Sequence, residues 1–85
     1  MKPSSFQLFA ETKGIKLLKD DINFIKRCLN LIPYQDRRKT LEKYAMEWLK
    51  GMNSSDIVYR RQNLGRRKAN EYLRELVDAG SGKVV

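Results

Sequence analysis

The chain has 85 residues, enough for one small domain with a compact core and too few for a roomy enclosed active-site cavity. Hydrophobic residues make up 41% of it, near the ordinary globular range and above that of disordered chains. Eighteen Lys and Arg against ten Asp and Glu leave a formal net charge of +8, a field that attracts polyanions, nucleic acid foremost.

Cysteine and histidine usage narrows the chemistry further. Cys28 stands alone, so no intramolecular disulfide can form, and there is no histidine. The common nucleophile–base pairs and zinc sites therefore cannot be built. Asp20 and Asp21 are adjacent, and neighbours on a helix point apart, which argues against a metal site there. No glycine-rich phosphate loop is present. The expectation is a protein that is not an enzyme and uses no cofactor or metal. No signal-peptide pattern and no run long enough to span a membrane is found, which points to the cytosol of a bacterium, or of a bacterium infected by the virus that encodes it. Asn53-Ser54-Ser55 matches a glycosylation sequon and reads here as a helix-capping turn.

In chain order, residues 1–13 are weakly patterned, with Phe6 and Phe9 expected to lie against the main body and the segment itself expected to be loosely held. Residues 15–32 predict the first long helix. Ile15, Leu18, Ile22, Ile25, Leu29 and Ile32 recur at steps of three or four, and Leu17, Phe24, Cys28 and Leu31 widen that stripe. Lys16, Lys19, Asp20, Asp21, Lys26 and Arg27 fill the other face, and Gly14 and Pro33 bracket the segment. Residues 36–51 predict the second helix, with Asp36 as N-cap, Leu41, Tyr44, Ala45, Trp48, Leu49 and Met52 on one face, and Gly51 with Asn53 as the stop. Trp48 and Tyr44 are expected to anchor the core. The charges at Arg37, Arg38, Lys39, Lys43 and Lys50 are interspersed with Glu42 and Glu47, as on an ordinary exposed face.

A short third helix is expected over residues 55–62, capped by Ser54 or Ser55, with Ile57 and Val58 pointing inward. A fourth follows over residues 66–78, with Ala69, Tyr72, Leu73, Leu76 and Val77 inward, Gly80 as a stop and residues 80–85 as a loose tail. Between them, Asn63-Leu64-Gly65 is expected to break the chain, because a glycine inside a helix costs about 1 kcal/mol relative to alanine. The alternative is one unbroken helix. The predicted fold is all-α, a compact bundle of about four helices with a helix-turn-helix-like C-terminal half.

The functional signal lies between Ile57 and Asn70. Arg60, Arg61, Arg66, Arg67 and Lys68 fall in this stretch, and no acidic residue does. Arginine presents a planar fork that fits phosphates and guanine edges, and Gln62, Asn63 and Asn70 carry amides that can bridge adenine edges. A solvated helix face that binds nothing is the plain alternative. The segment from Leu64 to Gly80 resembles the recognition-helix stretch of winged-helix and related helix-turn-helix regulators. Within it, Ala69-Asn70-Glu71-Tyr72-Leu73-Arg74-Glu75-Leu76 is similar to segments of replication proteins from temperate phages. The resemblance implies a small DNA-binding regulator or accessory protein of a phage or plasmid, acting as a homodimer on a two-fold site. It would place Arg66, Arg67, Lys68 and Asn70 against bases, and Arg60, Arg61 and Arg74 on phosphates. Two other partners remain open on the residues themselves: RNA bound by the same patch, and an acidic protein docked on the basic face.

Overall fold

The computed structural model describes the backbone over residues 3–82 and the side chains over residues 6–79. Four helices follow one another, α1 (Pro3–Thr12), α2 (Lys19–Leu29), α3 (Tyr34–Met52) and α4 (Val58–Gly82), with no strand among the described residues. This is the all-α bundle that the periodicity predicts, with different helix boundaries.

Pro3–Thr12, ahead of Gly14, forms a helix. In α1, Phe6 and Ala10 lie one turn apart and are both buried. Phe6 meets the ring of Tyr44 edge-on at 6.1 Å between centroids, and Phe9 packs beside it. Gly14 ends α1 rather than starting the next helix. Its φ of +79° is the left-handed conformation that glycine adopts without a Cβ penalty. The Gly14 N–H donates to the Glu11 carbonyl and the Ile15 N–H to the Ala10 carbonyl, both at 3.0 Å, which satisfies two open carbonyls in a Schellman closure. Ile15 follows as the buried apolar residue that usually accompanies this motif.

The helix expected over residues 15–32 is shorter at both ends. Leu18 is extended (φ −91°, ψ 163°), and its N–H donates to Oδ2 of Asp21 at 2.9 Å, so a carboxylate in the first turn holds the start of α2. Residues 15–18 form an arm docked on α4, and Leu18 and Leu31 are exposed rather than inward. Asp21 is buried, although the pattern places it on the solvent face. α3 begins two residues earlier than expected, with Pro33 as the N-cap and Asp36 inside the first turn. A ring that fixes φ and lacks an N–H suits the entry to a helix, and a carboxylate there is favoured by the helix dipole.

α4 is the principal correction. Residues 58–82 form one unbroken helix of 25 residues, so the expected break at Asn63-Leu64-Gly65 is absent and the helix passes through Gly80. Lys83 to Val85, the rest of the expected loose tail, lie outside the described residues, as do Met1 and Lys2. Ser54 and Ser55 do not cap a helix at residue 55. The Ser54 hydroxyl donates to the Gly51 carbonyl at 2.6 Å, and Ser55 Oγ accepts from the Ile57 N–H at 3.0 Å in the turn ahead of α4.

The glycine that sequence reading takes for a breaker is instead a contact point. α3 and α4 form an antiparallel hairpin, in which Gly51 meets Leu64 and Gly65, Trp48 meets Gly65, and Tyr44 meets Asn70. A Cβ on Gly65 would lie 2.4 Å from Cδ1 of Trp48 and 2.6 Å from its carbonyl oxygen, and one on Gly51 would lie 2.5 Å from the Leu64 carbonyl oxygen. Two glycines facing each other let the backbones touch and seat the indole of Trp48 against α4. The propensity cost of Gly65 is offset by this packing. Around it, Trp48, Tyr44, Leu41, Leu73 and Ile15 are fully buried, each stabilising by roughly 1.5–3 kcal/mol relative to exposure. Ile57 and Val58 precede the crossing and are exposed rather than inward.

Candidate nucleic-acid interface

The unbroken helix decides where each basic side chain points. At 3.6 residues per turn, Gly65, Ala69 and Leu73 mark the buried line of α4. Arg60, Arg67 and Arg74 recur every seven residues on the opposite face, roughly 10.5 Å apart along the axis. Asn63 lies beside this row and Lys68 on its flank, and all five are exposed. Ahead of Glu71 the row has no acidic neighbour on its own helix. Beyond it, Glu71, Glu75 and Asp78 interleave with Arg74. The basic surface of α4 is therefore its first half. Arg67 and Glu71 approach to 3.7 Å with both side chains largely exposed, a contact that holds neither firmly.

The other predicted residues turn towards the protein. Arg66 is the most committed. Its Nε donates to Oδ2 of the buried Asp21 at 2.8 Å, Nη1 to Asn63 at 2.8 Å and Nη2 to the Lys16 carbonyl at 3.2 Å. Its guanidinium also lies 5.2 Å from the centre of the Trp48 ring. Gln62 is a three-way tie. Its Oε1 accepts from Trp48 Nε1 and from the Lys16 N–H, each at 3.1 Å, while Nε2 donates to the Gly14 carbonyl at 2.8 Å. Arg61 closes the end of α3, donating to the Met52 carbonyl at 2.9 Å and to Asn53 Oδ1 at 3.0 Å. Asn70 Oδ1 accepts from the buried Tyr44 hydroxyl at 2.6 Å. Burial raises the Tyr44 pKa well above the ordinary tyrosine range, and the Asp21 charge adds to the effect. Of the nine residues singled out from the sequence, Arg60, Asn63, Arg67 and Lys68 therefore form the open surface, while Arg74 is exposed with its guanidinium 5.7 Å from the centre of the Phe24 ring of α2. Arg61, Gln62, Arg66 and Asn70 build the scaffold beneath it.

The chain matches no known family model, no curated protein and no solved structure.

One contact of this scaffold is invisible to helical periodicity. Gln62 and Arg66 hold the backbone of Lys16 against α4, and the Lys16 side chain is exposed. Its sequence separation from Arg66 is 50 residues, and nothing in the local pattern of residues 15–18 foretells the docking. Among the described residues no cluster of three or more acidic or cysteine side chains could hold a metal ion. No helix among them is long and apolar enough to cross a membrane.

Proposed function

We propose that this protein binds double-stranded DNA through the outward face of the first half of α4, as a small regulator or accessory factor of a phage or other mobile element. The observation that supports this reading is the exposed set Arg60, Arg67 and Lys68, which the fold leaves unburied on an acid-free stretch. A helix about 10–12 Å across matches a major groove about 12 Å wide. In this reading α4 presents its exposed row to the duplex while α3 and α2 support it from behind. Arg60, Arg67 and Lys68 neutralise phosphates and release counterions. Asn63 is the amide best placed to reach a base edge. Arg66, assigned to bases on the resemblance, acts in this reading by holding the arm and α4 in register. Two copies on a two-fold site would supply the affinity that one helix lacks.

A second reading is favoured by one feature. Val58 and Tyr59 are exposed beside Arg60 at the start of α4, and an apolar edge next to a cation suits an acidic protein partner.

The test is duplex-DNA affinity measured against salt for the wild type and an Arg60→Gln/Arg67→Gln/Lys68→Gln variant, with folding checked by circular dichroism. The wild type is expected to bind with a steep salt dependence. The variant is expected to lose about one unit of slope for each phosphate-bound cation removed. Absence of binding at low salt, or the same slope in both proteins, rejects the proposal.

A further inference from the structure

A second basic surface lies away from α4. The end of α2 and the start of α3 enclose an open groove of about 500 Å³, within the roughly 300–1,000 Å³ typical of ligand sites. Lys26, Asn30, Tyr34, Gln35, Arg37 and Arg38 line it, with Leu29 at its floor and no carboxylate or residue of α4 among them. Asp36, next to Arg37 in sequence, lines a different groove with Tyr72 and Leu76.

The lining combines a flat aromatic face with cations already in place. Tyr34 is 76% exposed, so its ring is open to solvent. Arg37 is half-buried and held on both sides. Its Nε donates to the Ile32 carbonyl at 3.0 Å, and its guanidinium carbon lies 5.7 Å from the centre of the Tyr34 ring. Its two terminal nitrogens have no hydrogen-bond partner among the described residues. Arg38 pairs with Glu42 at 3.4 Å with both side chains exposed, and is loosely held.

We infer that this groove binds single-stranded nucleic acid, with a base stacked at Tyr34 and the adjoining phosphates on Arg37, Arg38 and Lys26. Unpaired strands expose base faces to an aromatic platform, whereas a duplex hides them in its stack. A guanidinium fixed beside the ring adds a second planar surface for the base and a forked donor for the phosphate. A phosphopeptide would use the cations and leave the ring idle. The inference does not rest on the duplex-binding role of α4, and the two surfaces share no residue. Together they would let one small chain hold a duplex and an adjoining unpaired strand.

The experiment is anisotropy of a labelled short oligothymidylate titrated with the full chain at low salt. Tyr34, Lys26 and Arg38 are exposed, so substitution there leaves the core intact. Tyr34→Ala is expected to weaken binding about tenfold, and Tyr34→Phe to retain it, because stacking needs the ring and not the hydroxyl. Lys26→Gln/Arg38→Gln is expected to weaken binding and flatten its salt dependence. The Arg60→Gln/Arg67→Gln/Lys68→Gln variant should bind the oligonucleotide as the wild type does, and Tyr34→Ala should bind duplex as the wild type does. Failure of duplex binding alone leaves the groove standing. Equal affinity of wild type and Tyr34→Ala for the oligonucleotide overturns the inference, being what any bare anion on the cations would give. No binding at low salt, or binding lost only in the α4 variant, overturns it as well.

Discussion

Replacing Gly65 with alanine separates the two readings of that glycine by the sign of the effect. In an ordinary exposed helix the change stabilises by about 1 kcal/mol. Here the new methyl carbon would stand 2.4 Å from Cδ1 of Trp48, 2.7 Å from its Nε1 and 2.6 Å from its carbonyl oxygen. Carbon contacts settle near 3.5–4.0 Å, so α4 must move away from α3 by about 1 Å or the indole must turn. The indole has little freedom, because it is fully buried and its Nε1 is tied to Gln62. The carbonyl cannot turn without breaking α3. Overpacking of this kind costs about 1–3 kcal/mol, and a strained or lost bond at a buried indole N–H adds about 1–3 kcal/mol. With the propensity gain of about 1 kcal/mol subtracted, a net loss of about 1–5 kcal/mol, centred near 3, is expected, which lowers the melting temperature by about 4–8 °C for each kcal/mol. Urea unfolding followed by the emission of Trp48, the only tryptophan, reads both stability and the contact itself. An unchanged or raised midpoint would refute the close approach of α3 and α4.

Two further outcomes are expected. Arg66→Ala leaves the buried Asp21 carboxylate with only the Leu18 N–H and is expected to destabilise by about 2–3 kcal/mol, below the full figure for a buried pair because the arginine is partly exposed. Arg66→Lys should recover little, since an ammonium offers no planar fork. Chemical denaturation of the three proteins checks this, and an unchanged midpoint in Arg66→Ala contradicts the scaffold role. The second outcome concerns alkaline pH. Burial raises the pKa of both the Tyr44 hydroxyl and the Cys28 thiol, so the folded chain keeps protons that the unfolded chain releases near 10.0 and 9.0. Their contribution is complete below those values and is lost as pH rises through and beyond them, because the native state then binds more protons than the unfolded one. Urea midpoints measured upward from about pH 8 should fall, and Tyr44→Phe should fall less steeply though it starts lower by about 1 kcal/mol. A flat profile would show that neither group is held away from water.

Much of the fold is legible in the chain because helices and their buried faces are written in local spacing. Leu41, Tyr44, Trp48, Ala69 and Leu73 are inward as their periodicity predicts. The helix limits are less legible. Gly14 and Pro33 are correct as punctuation, but Gly14 closes the helix before it, and residues 15–18 follow an extended path despite a helical pattern. Their apolar side chains satisfy the docked arm as well as a helix, and the choice is made by Gln62 and Arg66. The basic stretch is legible as a composition but not as a surface. Arg66 and Arg67 are neighbours of the same type, yet one is bound to Asp21 and the other faces outward, since adjacent helical positions differ by about 100°.

By itself the sequence determined that this is a small, basic, all-helical chain with Trp48 and Tyr44 at its centre, and that Ile57 to Asn70 carries positive charge without acid. Those properties depend on composition and on neighbours three or four residues apart. Only the tertiary structure decided that Gly65 joins two helices instead of ending one. It alone divided nine candidate residues into an exposed set and a half-buried scaffold. The reason lies in distance along the chain. The distant partners of Gln62 and Arg66, Gly14, Lys16 and Asp21, lie 45 to 50 residues away, and a polar side chain takes its direction from whichever partner the fold brings within hydrogen-bond reach.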